Sequence, residues 1–279
     1  MALKHLLLHL SDGRDGRSHV EVAVRLAKAH DAYLTGLYVR PGYAARYAPT
    51  SASPAFADQL RRMAEMENER LHKDETDIID RFTEAAGAAG VPAGHLVETG
   101  ADGNGAVSHL VRHGRAADLI VLGKPYGDDS GMPHDVLFAA GVPVIMVPET
   151  CPDGVGRRIV IAWNGGREAA RAVRDALPIL ERAEKVDVLC VNQRVEGSNI
   201  RPGSDLAEHL AHHGIKASVD SSSPGKVSVA DAIIARITDV RADLLVMGAW
   251  GHSRLREMVL GGVTRRILEN APVPVLMSH

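Results

Sequence analysis

The sequence predicts an α/β protein with two doubly wound halves, each containing a five-stranded, mainly parallel sheet. Short apolar runs alternate with longer stretches of helical period along the chain, which is the pattern of parallel strands covered by helices on both faces. The same order of signals occurs twice, so one plan is repeated. At 279 residues the chain is long enough for two domains of ordinary size.

The first half contains five runs of apolar or β-branched residues, each closed by glycine, proline or charged residues, as strands commonly are. In chain order they read LLLHL, YLTGLYV, HLVET, LIVLG and VPVIMV. The stretches between them are predicted to be helices. One of these stretches, an insert at about residues 41–90, is long. We consider three roles for the insert: a lid, a dimer contact or a packed helix.

The second half repeats these signals at nearly constant spacing. Residues 5–39 match residues 158–191, with Asp12 aligned to Asn164 at a separation of 152. Further along, AADLIVLG matches RADLLVMG, and VPVIMV matches VPVLMS. These matches predict that strands and helices follow the same order in both halves.

The segment PETCPDGVGR, rich in proline and glycine, separates the halves. We therefore predict domains at 1–148 and 157–279, joined by a linker at 149–156. The last strand of each half is short and apolar, and an exposed edge of that kind invites pairing. Pairing of 142–147 with 273–277 within the chain would hide both edges and give a two-fold-like unit. Homodimerisation of that unit is a further expectation.

Composition excludes several classes of function. The net charge is −3 without a long basic block, and aromatic residues are 4%, so the surface that nucleic acids require is missing. No apolar run approaches the roughly 18 residues of a membrane span. The first residues, MALKHLLLHLSDGRDG, show no basic leader, and Cys151 and Cys190 fit a reducing compartment. We expect a cytoplasmic protein that binds neither nucleic acid nor membrane.

The segment MGAWGHSRLREMVLGGVTRRIL contains the main candidate site. Gly248 closes an apolar strand, and ligands of open parallel sheets bind at such ends, near the point where strand order reverses. Gly261 and Gly262 precede a predicted helix, whose free amides and dipole favour an anion. The residues predicted to bind phosphate or to shape the entry are Met247, Gly248, Gly251, His252, Ser253, Arg254, Gly261, Gly262, Val263 and Thr264.

Arg254 is the first choice for a side-chain contact to phosphate, because it lies within the loop and its planar fork suits that group. Arg265 and Arg266 are expected to point along a helix surface instead. The alternative for the whole segment is a glycine-rich connection that only lets a loop cross the edge of the sheet.

The two repeats, the strand end AWNGGREAARAV, the glycine segment and the closing PVPVLM resemble a tandem universal stress protein, in which two universal-stress domains are fused. The resemblance implies a Rossmann-like fold with pairing through the last strands. It also implies, for a subset of members, ATP or another adenine nucleotide, with or without Mg²⁺, bound by a Gly-x-x-Gly, nine-residue, Gly-Ser/Thr pattern. Gly248, Gly251 and Gly261 fit that spacing. Gly262 stands where the family has a hydroxyl, and Thr264 lies two residues on.

The adenine and ribose are expected over the ends of the first and second strands of the second half. In the family a carboxylate at the first strand's end commonly meets the nucleoside. Asn164 would bring hydrogen bonds without charge, or would serve only as an Asx-turn residue that shapes the bend. Val191 would offer backbone groups and an apolar wall. The candidates are Ala162, Trp163, Asn164, Gly165 and Val191.

The first half is expected to have lost this site. Gly123 is retained and Gly127 falls one residue late, while the glycine pair before the last helix is missing along with six residues. The acidic residues Asp128, Asp129 and Asp135 would repel a phosphate there.

Other signals point away from catalysis and metal binding. His209, His212 and His213 lie at helical spacing, and a solvated helix face is expected rather than a metal site. The sequence contains no Walker loop, no G-x-G-x-x-G and no G-x-S-x-G elbow. We predict no metal ligands and no catalytic residues.

The expected function is that of a stress-response protein that binds an adenine nucleotide (ATP, ADP or AMP) in its C-terminal domain and acts as a nucleotide-responsive regulatory or protective module. Two alternatives stay open: a slow ATPase or phosphotransfer enzyme at the same site, and a partner-binding protein with an empty cleft. The sequence identifies no protein partner.

Overall fold

Both halves alternate strands and helices in the predicted order. The computed structural model of the chain describes residues 2–11, 17–41, 54–100, 105–124, 131–191, 203–222, 227–249 and 262–279. The first half contains β1 (His5–Leu10), α1 (Arg17–His30), β2 (Tyr33–Pro41), α2 (Pro54–Ala89), β3 (Ala93–Gly100), α3 (Gly105–Gly114), β4 (Leu119–Gly123), α4 (Met132–Ala140) and β5 (Val144–Val147). The second contains β6 (Arg158–Ala162), α5 (Arg167–Leu180), β7 (Lys185–Val191), α6 (Ser204–His212), β8 (Ala217–Ser222), α7 (Val229–Val240), β9 (Leu244–Gly248), α8 (Gly262–Asn270) and β10 (Val275–Ser278).

The strands form one ten-stranded sheet in the order β3-β2-β1-β4-β5-β10-β9-β6-β7-β8. Each half contributes five parallel strands, and the halves meet where β5 runs antiparallel to β10, with Ile145 opposite Leu276. The order reads the same from this junction outward, so an approximate two-fold axis relates the halves. The predicted pairing of the last strands is therefore confirmed. The two sheets predicted from sequence form one continuous sheet.

Helices cover both faces of the sheet, which is why the central strands are apolar throughout. On one face, α1, α2, α5 and α6 enclose one group of buried side chains, and on the other α3, α4, α7 and α8 enclose a second. Among the described residues, no helix is both long enough and apolar enough to cross a membrane.

The register of the strands corrects one alignment made from sequence. Leu6 pairs with Leu119 as Ile159 pairs with Leu244, so β1 and β6 correspond at a separation of 153 rather than 152. The counterpart of Asn164 is therefore Ser11 and not Asp12, which lies outside the described residues. The difference arises because the connections on either side of α1 and α5 differ in length, which an ungapped comparison cannot detect.

A hydrogen-bonding device is repeated in both halves. Before β4, Asp118 Oδ2 accepts the backbone N–H groups of Lys4 at 2.7 Å and His5 at 2.9 Å. Before β9, Asp243 Oδ1 accepts those of Arg157 and Arg158, each at 3.0 Å. In both halves a carboxylate thus satisfies amides at the start of the neighbouring central strand. The repeat extends from strand order to individual hydrogen bonds.

The described part of the insert is the long helix α2, and residues 42–53 lie outside the described residues. Near its C-terminal end, Ile78 and Phe82 are buried against the first half. Arg40, at the end of β2, donates two hydrogen bonds to Glu75 at 2.9 and 3.0 Å. This part of α2 is a packed helix, the third of the roles considered.

Candidate functional site

The carboxyl ends of β6, β7 and β9 meet at one edge of the second half. Ala162, the last residue of β6, pairs with Met247 on one side and Leu189 on the other. The chain runs outward from β6 to β7 and β8, and then returns to place β9 on the opposite side of β6. The point between β6 and β9 is therefore where strand order reverses. Doubly wound proteins bind their ligands at such a point.

Three of the predicted side chains share the face of the sheet that carries α7 and α8. Met247 is buried there, and Ala162 and Val191 are partly buried against the same apolar group. Trp163 differs, because its side chain packs against the apolar group on the opposite face. Its backbone N–H donates to the carbonyl of Leu189 at 2.9 Å. The structure therefore brings Ala162, Val191 and Met247 together and turns the indole away.

The turn from β6 to α5 is built on Asn164. Its Oδ1 accepts the backbone N–H of Gly166 at 2.9 Å, which makes an Asx turn, and Gly166 caps α5. Gly165 between them has φ of +70°, a left-handed conformation that favours glycine. Of the two roles considered for Asn164, the structure shows the turn-forming one. Its side chain is exposed at the edge where a nucleoside is expected.

Gly248 is required for a reason that differs from the one predicted. A Cβ at this position would lie 2.4 Å from the backbone nitrogen of Ala169 and 2.5 Å from the carbonyl carbon of Glu168. The missing side chain makes room for the first turn of α5, which packs directly on the end of β9. We predicted that Gly248 lacks a side chain so that a ligand can approach. That interpretation is wrong on the side where its Cβ would lie, because α5 occupies that side.

The first residues of α8 differ in how closely the described residues pack against them. A Cβ at Gly262 would meet no described atom within 4 Å, and Val263 is 37% exposed. Thr264, in contrast, is only 4% exposed. Packing against the described residues therefore does not impose a glycine at position 262, and none of them would obstruct a serine there.

Several predicted residues lie outside the described residues: Gly251, His252, Ser253, Arg254 and Gly261. Arg265 and Arg266 do lie along the helix surface, as expected. Arg265 Nε donates to Glu269 Oε1 at 2.8 Å within α8, and Arg266 Nε donates to Asp231 Oδ1 of α7 at 2.8 Å.

One residue that sequence reasoning missed is Arg167, the first residue of α5. Its side chain is 82% exposed and lies 3.1 Å from the carboxylate of Glu168. It directly follows the Asn164 turn, so it places a guanidinium at the carboxyl end of β6. The signal was available in the sequence as the NGGR that follows the first strand of the second half.

In the first half, a histidine stands where the second half has a small residue. His9 corresponds to Ala162, and strand alternation places it on the same face as Leu7, which packs beside α4. It is 8% exposed, and burial together with the charge of His19 lowers its pKa to about 4. A neutral imidazole therefore stands where the second half has the methyl group of Ala162.

On the other face, His19 lies against Gly123. Its ring would be 3.1 Å from a Cβ at that glycine, and burial lowers its pKa to about 4. His19 Nε2 is buried without a hydrogen-bond partner among the described residues. The counterpart contact in the second half is made by the backbone of α5 against Gly248.

The start of α4 corrects a second alignment. β5 and β10 correspond at a separation of 131, so Gly131 stands in register with Gly262 and Pro133 with Thr264. One glycine of the pair that was counted as missing is therefore present. Pro133 removes a backbone N–H from the helix start, and Asp135 adds a negative charge to the first turn. Gly127, Asp128 and Asp129 lie outside the described residues.

The cysteines and the histidine-rich helix show no sign of reactivity or metal binding. Burial raises the pKa of the Cys190 thiol to about 11 and also raises that of Cys151, so neither is an activated nucleophile. Across the described ranges, no three His, Cys, Asp or Glu side chains are arranged to hold a metal ion. The histidines of α6 and its C-cap are exposed.

The fold is that of a doubly wound α/β protein, and the candidate ligand-binding edge lies at the switch point of its second half. Residues 156–279 match the model of the Universal stress protein family, so the similarity to that family covers the second half of the chain. Among curated proteins, the chain is 46% identical over 46 residues to Universal stress protein Slr1230 of Synechocystis sp.. That match covers 16% of this chain and 16% of the relative.

Solved structures extend the similarity of fold to nearly the whole chain. A universal stress protein from Archaeoglobus fulgidus aligns over 98% of this chain and 95% of its own, with 17% identity and a TM-score of 0.71. A putative universal stress protein from Pseudomonas aeruginosa aligns over 99% of this chain and 93% of its own, with 16% identity and a TM-score of 0.59. At these identities the structures establish the shared fold.

Proposed function

We propose that the chain is a tandem universal stress protein that binds one adenine nucleotide, in its second half. The domains are residues 1–148 and 157–279, with the linker at 149–156. The observation that carries the proposal is the reversal of strand order between the carboxyl ends of β6 and β9, within the segment that matches the family. The repeated strand order supports a first half of the same kind. Asp118 and Asp243, which accept equivalent hydrogen bonds in the two halves, support it as well.

Each part of the nucleotide has a physical reason for its place. The adenine lies against Val191 and Ala162, which offer apolar surface, and the ribose lies near the exposed Asn164 and Gly165. The phosphates lie at the start of α8, where free amides and the helix dipole attract an anion. The residues proposed to complete this part are Gly251, His252, Ser253, Arg254 and Gly261, with Mg²⁺ as an optional companion of the phosphates.

The first half does not bind a nucleotide in this proposal. His9 fills the position of Ala162, Pro133 removes an amide from the helix start, and Asp135 repels phosphate. A single ligand per chain follows. Occupancy is proposed to regulate the surface offered to a protein partner in the cytoplasm, so that the chain acts as a nucleotide-responsive module of the stress response.

The test is the stoichiometry and fate of the nucleotide. Protein purified from its host is denatured and the released nucleotide identified, and nucleotide-free protein is then titrated with ATP and Mg²⁺ by calorimetry while phosphate release is followed. We expect one site per chain without turnover. Two equal sites, or none, would contradict the proposal, and turnover would favour the ATPase alternative.

A matched pair of variants locates the site. Val191→Asp is expected to weaken ATP binding at least about 10-fold, because it brings a carboxylate against the adenine. Val39→Asp makes the same change at the counterpart position of the first half and is expected to leave binding unchanged. Equal losses in both variants would contradict a site confined to the second half.

Gly262→Ser is expected to tighten ATP binding by about 10-fold, because a hydroxyl that donates to a charged phosphate adds a strong hydrogen bond. No atom of the described residues lies within 4 Å of the place that its Cβ would take. Calorimetric titration with ATP and with AMP measures the gain, which should be larger for ATP. Gly131→Ser is the matched control in the first half, where no gain is expected.

A further inference from the structure

We propose that the first half positions Ala249, near the start of the glycine segment of the second half, through a contact between Phe138 of α4 and His279. The contact acts in one direction, because among the described residues the second half makes no equivalent contact to the first. The inference rests on the proposed function, because its consequence is read in nucleotide affinity. The first half, which does not bind the nucleotide in this proposal, would then contribute to the position of the site in the second half.

The contact between Phe138 and His279 is the first of a short series of interactions that crosses the junction of the halves. The ring of Phe138 lies 4.0 Å from the imidazole of His279, measured between centroids, at an interplanar angle of 48°. His279 Nδ1 lies 3.1 Å from the backbone oxygen of Ala249, and the N–H of Ala249 donates to Ser278 O at 3.0 Å. Ala249 is fully buried and directly follows Gly248. Both backbone polar groups of Ala249 are therefore held by the last two residues of the chain.

The geometry also fixes the tautomer of His279. A carbonyl oxygen only accepts hydrogen bonds, so Nδ1 must carry the proton that it donates to Ala249. Nε2 is buried without a hydrogen-bond partner among the described residues. The ring of Phe138, tilted by 48° to the imidazole, packs against it and supports it in line with Ala249.

A second contact crosses the junction on the far side of the segment. Lys124, the residue after β4, donates from Nζ to the backbone oxygen of Glu269 in α8 at 3.1 Å. The first half thus contacts Ala249 through His279 and contacts α8 directly. Ala249 lies near the start of the glycine segment, and Glu269 directly follows its end.

The contact cannot be formed in the opposite direction. In the register of the two halves, His279 corresponds to Pro148, Phe138 to Glu269 and Ala249 to Lys124. Proline has no ring N–H to donate, and glutamate has no ring to stack. An approximate two-fold axis relates the halves, yet only the second half has its strand end fixed in this way. The asymmetry matches the proposed restriction of the nucleotide to the second half.

Removing the ring should loosen Ala249 and weaken the site. We expect Phe138→Ala to lower the affinity for ATP by about 3- to 10-fold, the range typical of residues that act on a site without touching its ligand. Val136→Ala is the matched control, because Val136 is fully buried on the same helix but belongs to the core beneath α4. It should cost stability without changing the affinity of the folded protein.

The experiment combines binding with hydrogen exchange. ATP affinity is measured for Phe138→Ala, His279→Ala and the double variant, and we expect the double variant to lose little more than either single one. Exchange of the Ala249 amide without nucleotide should be faster in Phe138→Ala than in Val136→Ala. If the wild type binds no nucleotide, the proposed function fails, and the exchange comparison still tests the contact. Additive losses, or equal exchange in both helix variants, would overturn the inference.

Discussion

Replacing Gly248 with alanine is expected to destabilise the protein by more than about 3 kcal/mol and to abolish nucleotide binding. The new Cβ would lie 2.4 and 2.5 Å from backbone atoms of Ala169 and Glu168, and backbone cannot move aside as a side chain can. The first turn of α5 would have to leave the end of β9. Because the Asn164 turn leads into that same helix, the edge proposed to hold the ribose would be displaced with it.

Gly123→Ala is the matched control, since it makes the same change at the corresponding strand end of the first half. Among the described residues, the atoms nearest to its Cβ would be those of the His19 ring, at 3.1 Å, and a side chain can shift by a few tenths of an ångström. We expect a loss of about 1 kcal/mol. Urea unfolding of both variants measures the difference. Similar losses would show that backbone packing is not what requires Gly248.

Acid is expected to destabilise the protein well above the pH at which its carboxylates titrate. His9 and His19 are buried, and the pKa of each is lowered to about 4 from an ordinary value of 6.5. The unfolded chain protonates these imidazoles below about pH 6.5, while the folded protein keeps them neutral down to about pH 4. The unfolded state therefore binds more protons in this window, and stability falls as the pH falls.

The expected loss is about 3 kcal/mol for each imidazole between pH 6.5 and 4. Urea unfolding at a series of pH values gives the slope of the free energy of unfolding against pH. His9→Leu should reduce that slope by the equivalent of about one bound proton. His212→Gln is the control, because His212 is exposed on α6. An unchanged slope in His9→Leu would contradict the neutral buried state of His9.

A carboxylate contributes in a separate window. Burial alone would raise the pKa of Asp187, but hydrogen bonds from Arg236 and Ser218 outweigh it and the pKa is lowered. Its contribution to stability is present above about pH 4 and is lost as the pH falls further. The histidine effect therefore precedes the loss of this ion pair during acidification.

The architecture was predictable because it depends on patterns that are local in sequence. Apolar runs between helical stretches gave the strands in order, and the short apolar ends of both halves led to the β5–β10 pairing. The bend at Asn164 was also open to sequence reasoning, since Asn before two glycines is typical of a turn. In each of these cases the physical cause lies within a few residues of its effect.

The features that sequence reasoning missed depend on contacts between distant residues. The need for glycine at 248 comes from α5, about 80 residues earlier in the chain. The burial of His19 against Gly123 and the ring contact between Phe138 and His279 likewise join segments far apart in sequence. The one-residue error at Asp12 arose from compensating differences in loop length, which only strand register reveals.

Hydrogen exchange with and without ATP tests the central claim most directly, because it locates the ligand on the chain. We expect ATP to slow exchange at the carboxyl ends of β6, β7 and β9 and at the start of α8, in particular at Gly165, Val191 and Thr264. The carboxyl ends of β1, β2 and β4 and the start of α4, which are the corresponding segments of the first half, should be unaffected. Protection of both halves alike, or of neither, would contradict a single nucleotide site in the second half.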